Sequence, residues 1–199
     1  GRVKTDVVKP KEVFYNPTRL VVPLFQRPYV WSKETQWAPL WEDIVRLIEV
    51  IQHHNQNATH FLGAIVIQQV PAALGGLPMW NVIDGQQRLT TLQILLDALH
   101  KQLLLRGWDQ LAGQILPLIE NPSDYRVSEE ERYKLWPTNR DRDGFVSIMS
   151  APSPTDYERI VSSRLSEAHR YFSAVIGEWI GGGDDAVGRA RTLVPAVLD

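Results

Sequence analysis

Val82-Ile83-Asp84-Gly85-Gln86-Gln87-Arg88-Leu89-Thr90-Thr91-Leu92 is the stretch on which the reading of this chain turns. Met79 to Ile83 reads as a short strand, Asp84-Gly85 breaks it, and a helix follows at once, with Leu89, Leu92, Leu95, Leu96, Leu99 and Leu103 on its buried side. Upstream, Phe61 to Ile67 is a second strand rich in β-formers, and Pro71 to Pro78, with Gly75-Gly76, is the loop between them. The two strands are expected to pair antiparallel. A strand–glycine–helix junction leaves the N–H groups of the first helical turn pointing outward, where the helix dipole favours an anion. Arg88 adds a planar cationic fork that suits phosphate oxygens. Asp84 can hold a magnesium ion or position a water; Gln86 and Gln87 can hydrogen-bond a phosphate, a ribose or an attacking water. The plain alternative is that Asp84 caps the helix while Arg88 pairs with a neighbouring acid. No Walker pattern (GxxxxGK followed by Ser or Thr) occurs anywhere, so P-loop chemistry is excluded.

Working outward, Arg19 to Val22 reads as a strand stopped by Pro23, and Gln26-Arg27-Pro28-Tyr29-Val30-Trp31 as a stiff loop. Tyr29 and Trp31 stand there among Gln26, Arg27 and Lys33, a mixture of rings and cations that suits a nucleic-acid backbone; equally, the rings can plug the core beneath. Trp37, Leu40, Trp41, Ile44, Val45, Ile48 and Ile51 recur at helical spacing, and Pro39 puts the helix start near Thr35 or Gln36. In Tyr133 to Asp143, the residues Lys134, Asn139 and Arg140 either close over a bound anion or belong to a loop leading into a helix near Asp141. Leu111, Ile115 and Leu118 form one short stripe. Tyr157 to Trp179 predicts one long helix, ended by Gly181-Gly182-Gly183, with Asp184 able to cap a last helix.

The division expected is a tail at 1–12, an α+β unit at 13–105 and a helical extension at 106–199. The 199 residues are 44% hydrophobic and 22% charged, an ordinary globular composition. The net charge of −2 excludes a uniformly basic nucleic-acid coat. Locally, residues 1–33 carry Lys4, Lys9, Lys11, Arg19, Arg27 and Lys33 against Asp6 and Glu12. The absence of cysteine excludes disulfides, thiolate zinc sites and a cysteine nucleophile, and it fits a reducing, cytoplasmic setting. No apolar run approaches the ~20 residues of a membrane span. The five histidines form no ligand pair: His53 and His54 are adjacent, and His60 precedes a strand. A chain that begins at Gly1 and ends at Asp199 is expected to be a piece of a longer protein.

Four blocks in this order — Gln26 to Trp31, His60-Phe61-Leu62-Gly63, Val82 to Leu92, and Leu135-Trp136-Pro137-Thr138-Asn139-Arg140-Asp141 — resemble the N-terminal domain of the GmrSD-type restriction endonucleases, a family marked by DGQQR. The resemblance covers roughly residues 19–145. It implies a ParB/sulfiredoxin-like mixed sheet with helices, and a turn that binds and hydrolyses nucleoside triphosphate with Mg2+. Asp84, Gln86, Gln87 and Arg88 become catalytic candidates, with Asp84 also the metal ligand. Gly85, Thr90, Thr91, Lys134, Asn139 and Arg140 become nucleotide contacts, and Gln26, Arg27, Pro28, Tyr29, Val30, Trp31 and Lys33 sense DNA. Within the family, the chain looks most like the SspE-type effectors of phage defence, which sense phosphorothioate-modified DNA and carry an HNH-type nuclease domain. Sulfiredoxin has a cysteine at the equivalent turn; this chain has none, so redox repair is excluded. The alternative is a ParB-like module that binds DNA or nucleotide without turnover.

Overall fold

Residues 3–7, 10–24, 26–53, 64–71 and 74–198 are described by the computed structural model. The elements are β1 (Val3–Val7), α1 (Pro10–Phe14), β2 (Arg19–Val21), α2 (Ala38–Gln52), β3 (Ala64–Val70), β4 (Met79–Asp84), α3 (Gln86–Leu105), α4 (Asp109–Ile115), β5 (Leu135–Trp136), α5 (Arg142–Ser150), α6 (Arg164–Ile180) and α7 (Ala186–Leu198). The class is mixed α+β, as expected.

The five strands form one sheet in the order β1-β3-β4-β2-β5. β3 and β4 pair antiparallel, as their sequences predict, with Gln68 opposite Asn81 and Val70 opposite Met79. β2 runs parallel to both its neighbours, Leu20 lying beside Trp80 and Leu135. Alternation along each strand turns Leu20, Ile65, Val82 and Leu135 into the core, while Ile83 faces out.

α3 is the central helix. It contacts α6, α4 and β5, and Leu89, Leu92, Ile94, Leu95, Leu96, Leu99 and Leu103 are all fully buried. Even Thr91 and Gln93 are sealed from solvent, so the helix is enclosed nearly all round rather than striped. One apolar cluster runs from Phe14 through α3 to Val197, with no break at residue 105, where an extension was expected to begin.

Four further expectations change. The 1–12 tail contains β1, antiparallel to β3, and the start of α1. The described part of the strand placed at 61–67 starts at Ala64 and runs to Val70; Phe61 to Gly63, His54 and His60 lie outside the described residues. The helix expected from Thr35 or Gln36 enters through a π-helical turn, Lys33–Trp37, and Ile51 ends up exposed. The long helix expected from Tyr157 is a 3-10 turn, Tyr157–Arg159, and then α6. Its start is set by Ser163 and Ser166, which cap one another's backbone N–H groups.

Candidate functional site

Three parallel neighbours share a direction, so β4, β2 and β5 all end at one edge of the sheet. From β4 leaves the Asp84-Gly85 turn into α3, from β2 the Gln26–Trp31 segment, and from β5 the Pro137–Asp141 segment into α5. That edge, at the carboxyl ends of parallel strands, is where open sheets place ligands. Three separately spaced sequence blocks meet there.

The turn requires glycine. Gly85 has φ of +92°, and a Cβ on it would stand 2.8 Å from Cγ2 of Ile65 in β3. Asp84 is exposed, and its Oδ1 accepts from the N–H of Gly85 at 2.9 Å. It does not cap α3; Gly85 occupies the capping position without a side chain to do so. The first helical N–H to find a helix-type partner is that of Leu89, on the Gly85 carbonyl at 3.0 Å. The amides of Gln86, Gln87 and Arg88 are therefore the open donors of the first turn. Arg88 is half-buried, its guanidinium 5.9 Å from the centre of the Trp31 ring. No carboxylate pairs with it among the described residues, so the ion pair that would have made it scaffolding is not there.

Gln87 reaches the neighbouring segment with both ends of its amide: Nε2 donates to the Pro28 carbonyl at 3.0 Å, and Oε1 accepts from Val30 N–H at 2.9 Å. Gln86 Nε2 approaches Gln26 Oε1 at 3.4 Å. Thr90 and Thr91 are buried, and their hydroxyls donate back to the carbonyls of Gln86 and Gln87 at 2.8 and 2.7 Å. Helix geometry thus already engages the protons of both hydroxyls that were expected to contact nucleotide.

Tyr29 is corrected by its burial. It is 5% exposed and so cannot form a wall against DNA. Trp37 Nε1 donates to its hydroxyl at 2.7 Å, and the hydroxyl donates to Thr91 Oγ1 at 2.6 Å, whose own proton is given to Gln87. Burial pushes the Tyr29 hydroxyl pKa well up, so the ring is a neutral anchor. Its backbone N–H donates to Asp141 Oδ2 at 2.8 Å, the same oxygen that Thr138 Oγ1 holds at 3.1 Å. Asp141 and Trp37 thus position the site. Sequence reading put Trp37 on the apolar face of a helix and Asp141 at a helix start, and took neither as a site residue.

The rest of the segment divides by exposure. Gln26, Arg27 and Val30 are exposed, and Pro28 and Trp31 half-buried. Lys33 is exposed, with its ammonium 5.7 Å above the Tyr171 ring of α6. Asn139 and Arg140 are exposed on the β5 side. Lys134 is not brought to this edge. It lies before β5 at the opposite end of the strands, 1% exposed, with Nζ on the Asn16 carbonyl at 3.0 Å. Burial pulls its pKa down to about 8. It is a buried lysine, not a phosphate clamp.

Asp84 belongs to no cluster of three or more His, Cys, Asp or Glu able to hold a metal, since the described residues contain none. A single exposed carboxylate fits Mg2+ only if phosphate oxygens and water complete its coordination, which is the usual habit of that ion.

Compared with known families, residues 10–177 match the GmrSD restriction endonuclease N-terminal domain. The chain belongs to this family. The GmrSD match is longer than the resemblance read from the motif blocks. It takes in α4, α5 and nearly all of α6, so those helices are part of the family domain and not an appendage. β1 and α7 fall outside it. A search of curated proteins found no significant match. As a GmrSD N-terminal domain, the chain is a module of a restriction-system effector, and no helix among its described residues is long and apolar enough to cross a membrane.

Proposed function

We propose that this domain binds and hydrolyses a nucleoside triphosphate, GTP or ATP, at the Asp84–Arg88 turn and senses modified DNA with the adjoining Gln26–Trp31 segment. The observation that supports this best is the convergence of the three blocks around open first-turn amides and an Arg88 that pairs with no carboxylate among the described residues. The amides of Gln86, Gln87 and Arg88 take the phosphates, and the Arg88 fork neutralises the charge that grows on the leaving oxygen. Asp84 would hold a Mg2+ ion, which when bound would supply charge screening for the phosphates. Gln86, whose side chain has only a long contact to Gln26, is the group available to orient the attacking water. Water attacks the terminal phosphorus, the bond to the bridging oxygen breaks, and nucleoside diphosphate and phosphate leave.

On the DNA side, Arg27 and Lys33 bring charge, while Val30 and Trp31 offer apolar surface. A sulfur replacing a nonbridging phosphate oxygen is larger and less well hydrated. An apolar wall beside a cation therefore favours the phosphorothioate that SspE-type effectors sense, by on the order of 1–2 kcal/mol. The signal would pass to an HNH-type nuclease domain elsewhere in the effector. A second reading, binding without turnover, is favoured by one observation: Gln87, Thr90 and Thr91 are already engaged within the protein.

Phosphate release from the purified chain decides between them, with GTP and ATP each tested with and without Mg2+. Turnover is expected, and Arg88→Ala should abolish it at an unchanged melting temperature, since a charge-assisted contact of this kind contributes about 2–3 kcal/mol. Asp84→Ala should remove Mg2+ dependence together with activity. Nucleotide binding without phosphate release would select the second reading.

A further inference from the structure

Gln87 was expected to serve the chemistry, but its side chain is turned away from that task. Its amide donates to Pro28 and accepts from Val30, so it meets the backbone on either side of Tyr29 as a neighbouring strand would. A side-chain amide has the same donor and acceptor as a peptide group, which is why one glutamine can do this. The attachment is doubled through the Gln87 carbonyl, which takes the Thr91 hydroxyl that in turn takes the Tyr29 hydroxyl. Asp141 and Trp37 hold Tyr29 itself, and Gln87, in the first turn of α3, holds the backbone on both sides of it. The N–H of Gln87 is one of the open donors at the candidate phosphate site.

We propose that Gln87 is a positioning residue that holds the Gln26–Trp31 segment to the α3 turn and makes occupancy of one felt by the other. This rests on the reading of the turn as the nucleotide site and of the segment as the DNA contact. A shift of the first turn on binding phosphate would carry the amide, and with it Pro28 and Val30, the second of which adjoins the half-buried Trp31. Linkage is reciprocal, so DNA on the segment would alter nucleotide affinity by the same factor. Gln86, one position earlier, lacks any such grip on the loop backbone among the described residues.

The test uses Gln87→Met, which keeps the length and removes both bonds, and Gln87→Glu, which keeps only the acceptor. The first readout is amide hydrogen exchange at Val30 without ligand. It should speed up about tenfold or more in Gln87→Met and less in Gln87→Glu. The second is the affinity for a short duplex, plain or phosphorothioate, with and without the β,γ-imido analogues of ATP and GTP plus Mg2+. The parent should change its DNA affinity by about fivefold or more on adding the analogue, within the usual range of coupling. In Gln87→Met that factor should fall to near one. Unchanged exchange at Val30, or a coupling factor kept in both variants, overturns the proposal. If the parent binds no nucleotide, it is the reading of the turn that fails, while the exchange readout still decides whether Gln87 holds the segment.

Discussion

Lys134 and Arg140 lie six positions apart in sequence and have opposite fates, which shows how little a residue type says about its role. Arg140 is exposed at the site edge; Lys134 is sealed from solvent with one hydrogen bond, to Asn16. Burial lowers the Lys134 pKa to about 8, whereas in the unfolded chain a lysine stays protonated to about 10.4. Between pH 8 and 10 the unfolded chain therefore binds more protons at this lysine than the folded one does, which by itself makes stability rise with pH. Below pH 8 both states are protonated and the full burial penalty stands. The buried tyrosines oppose the rise as pH nears 10: burial pushes Tyr29 up and Tyr133 to about 12, so the unfolded chain, with tyrosines at about 10, loses those protons first, and the net rise is expected between pH 8 and 9. Lys134→Met should stabilise the protein at pH 7 by on the order of 2 kcal/mol and flatten the profile from pH 8 to 9. Denaturant titrations at each pH measure both effects; a parent profile that falls over this range would contradict the assignment.

Between elements, the seam of α3 with α6 is held by more than leucine. Asp97 on α3 is 3% exposed, and its Oδ2 receives Lys101 Nζ and His169 Nε2, each at 2.7 Å. Lys101 also donates to the carbonyls of Ile148 and Met149 in α5, and His169 Nδ1 meets the Tyr157 hydroxyl at 2.7 Å. One carboxylate thus ties α3, α5, α6 and the turn at Tyr157 together. Removing it strands a buried ammonium, so Asp97→Ala should cost about 3–5 kcal/mol. The Gly85 turn lies at the other end of α3, and phosphate release below the new melting point should persist. A cost under 1 kcal/mol in urea unfolding would mean that the network contributes little.

At the scale of the molecule, the continuous core makes a cooperative unit of what the motifs suggested were two parts. Fully buried Leu92, Leu96 and Leu99 belong to the same cluster as Phe172, Ile176, Leu193 and Val197, which lie in α6 and α7. The full chain should unfold in one transition, coincident by far-UV and near-UV circular dichroism. A fragment ending at residue 105 would expose α3 on the side that α6 covers, and it should show no cooperative transition. A sigmoidal melt from that fragment would restore the two-unit division.

Local spacing was enough for α2, α3 and the β3–β4 pair, and the resemblance carried by the motif blocks was enough for the family. Leucines at helical intervals after Gly85, apolar stretches about Ile65 and Val82, and the DGQQR block are each properties of a short window, and each was legible. The strand Val3–Val7 was not, because a short Val-Lys-Thr-Asp-Val stretch becomes a strand only when β3 offers an edge. Nor could sequence show that β2 runs parallel between β4 and β5, which is what gathers three distant blocks at one edge. The same holds for the side chains there. Tyrosine and tryptophan are amphipathic and suit a core or a surface equally, so only packing decided that Tyr29 is an anchor while Trp31 stays half-open beneath Arg88. Gln87 and Pro28 lie 59 positions apart, and Tyr29 and Asp141 112. Residue spacing determines which way a side chain leaves its own element; what it meets there is set by how the elements close on one another.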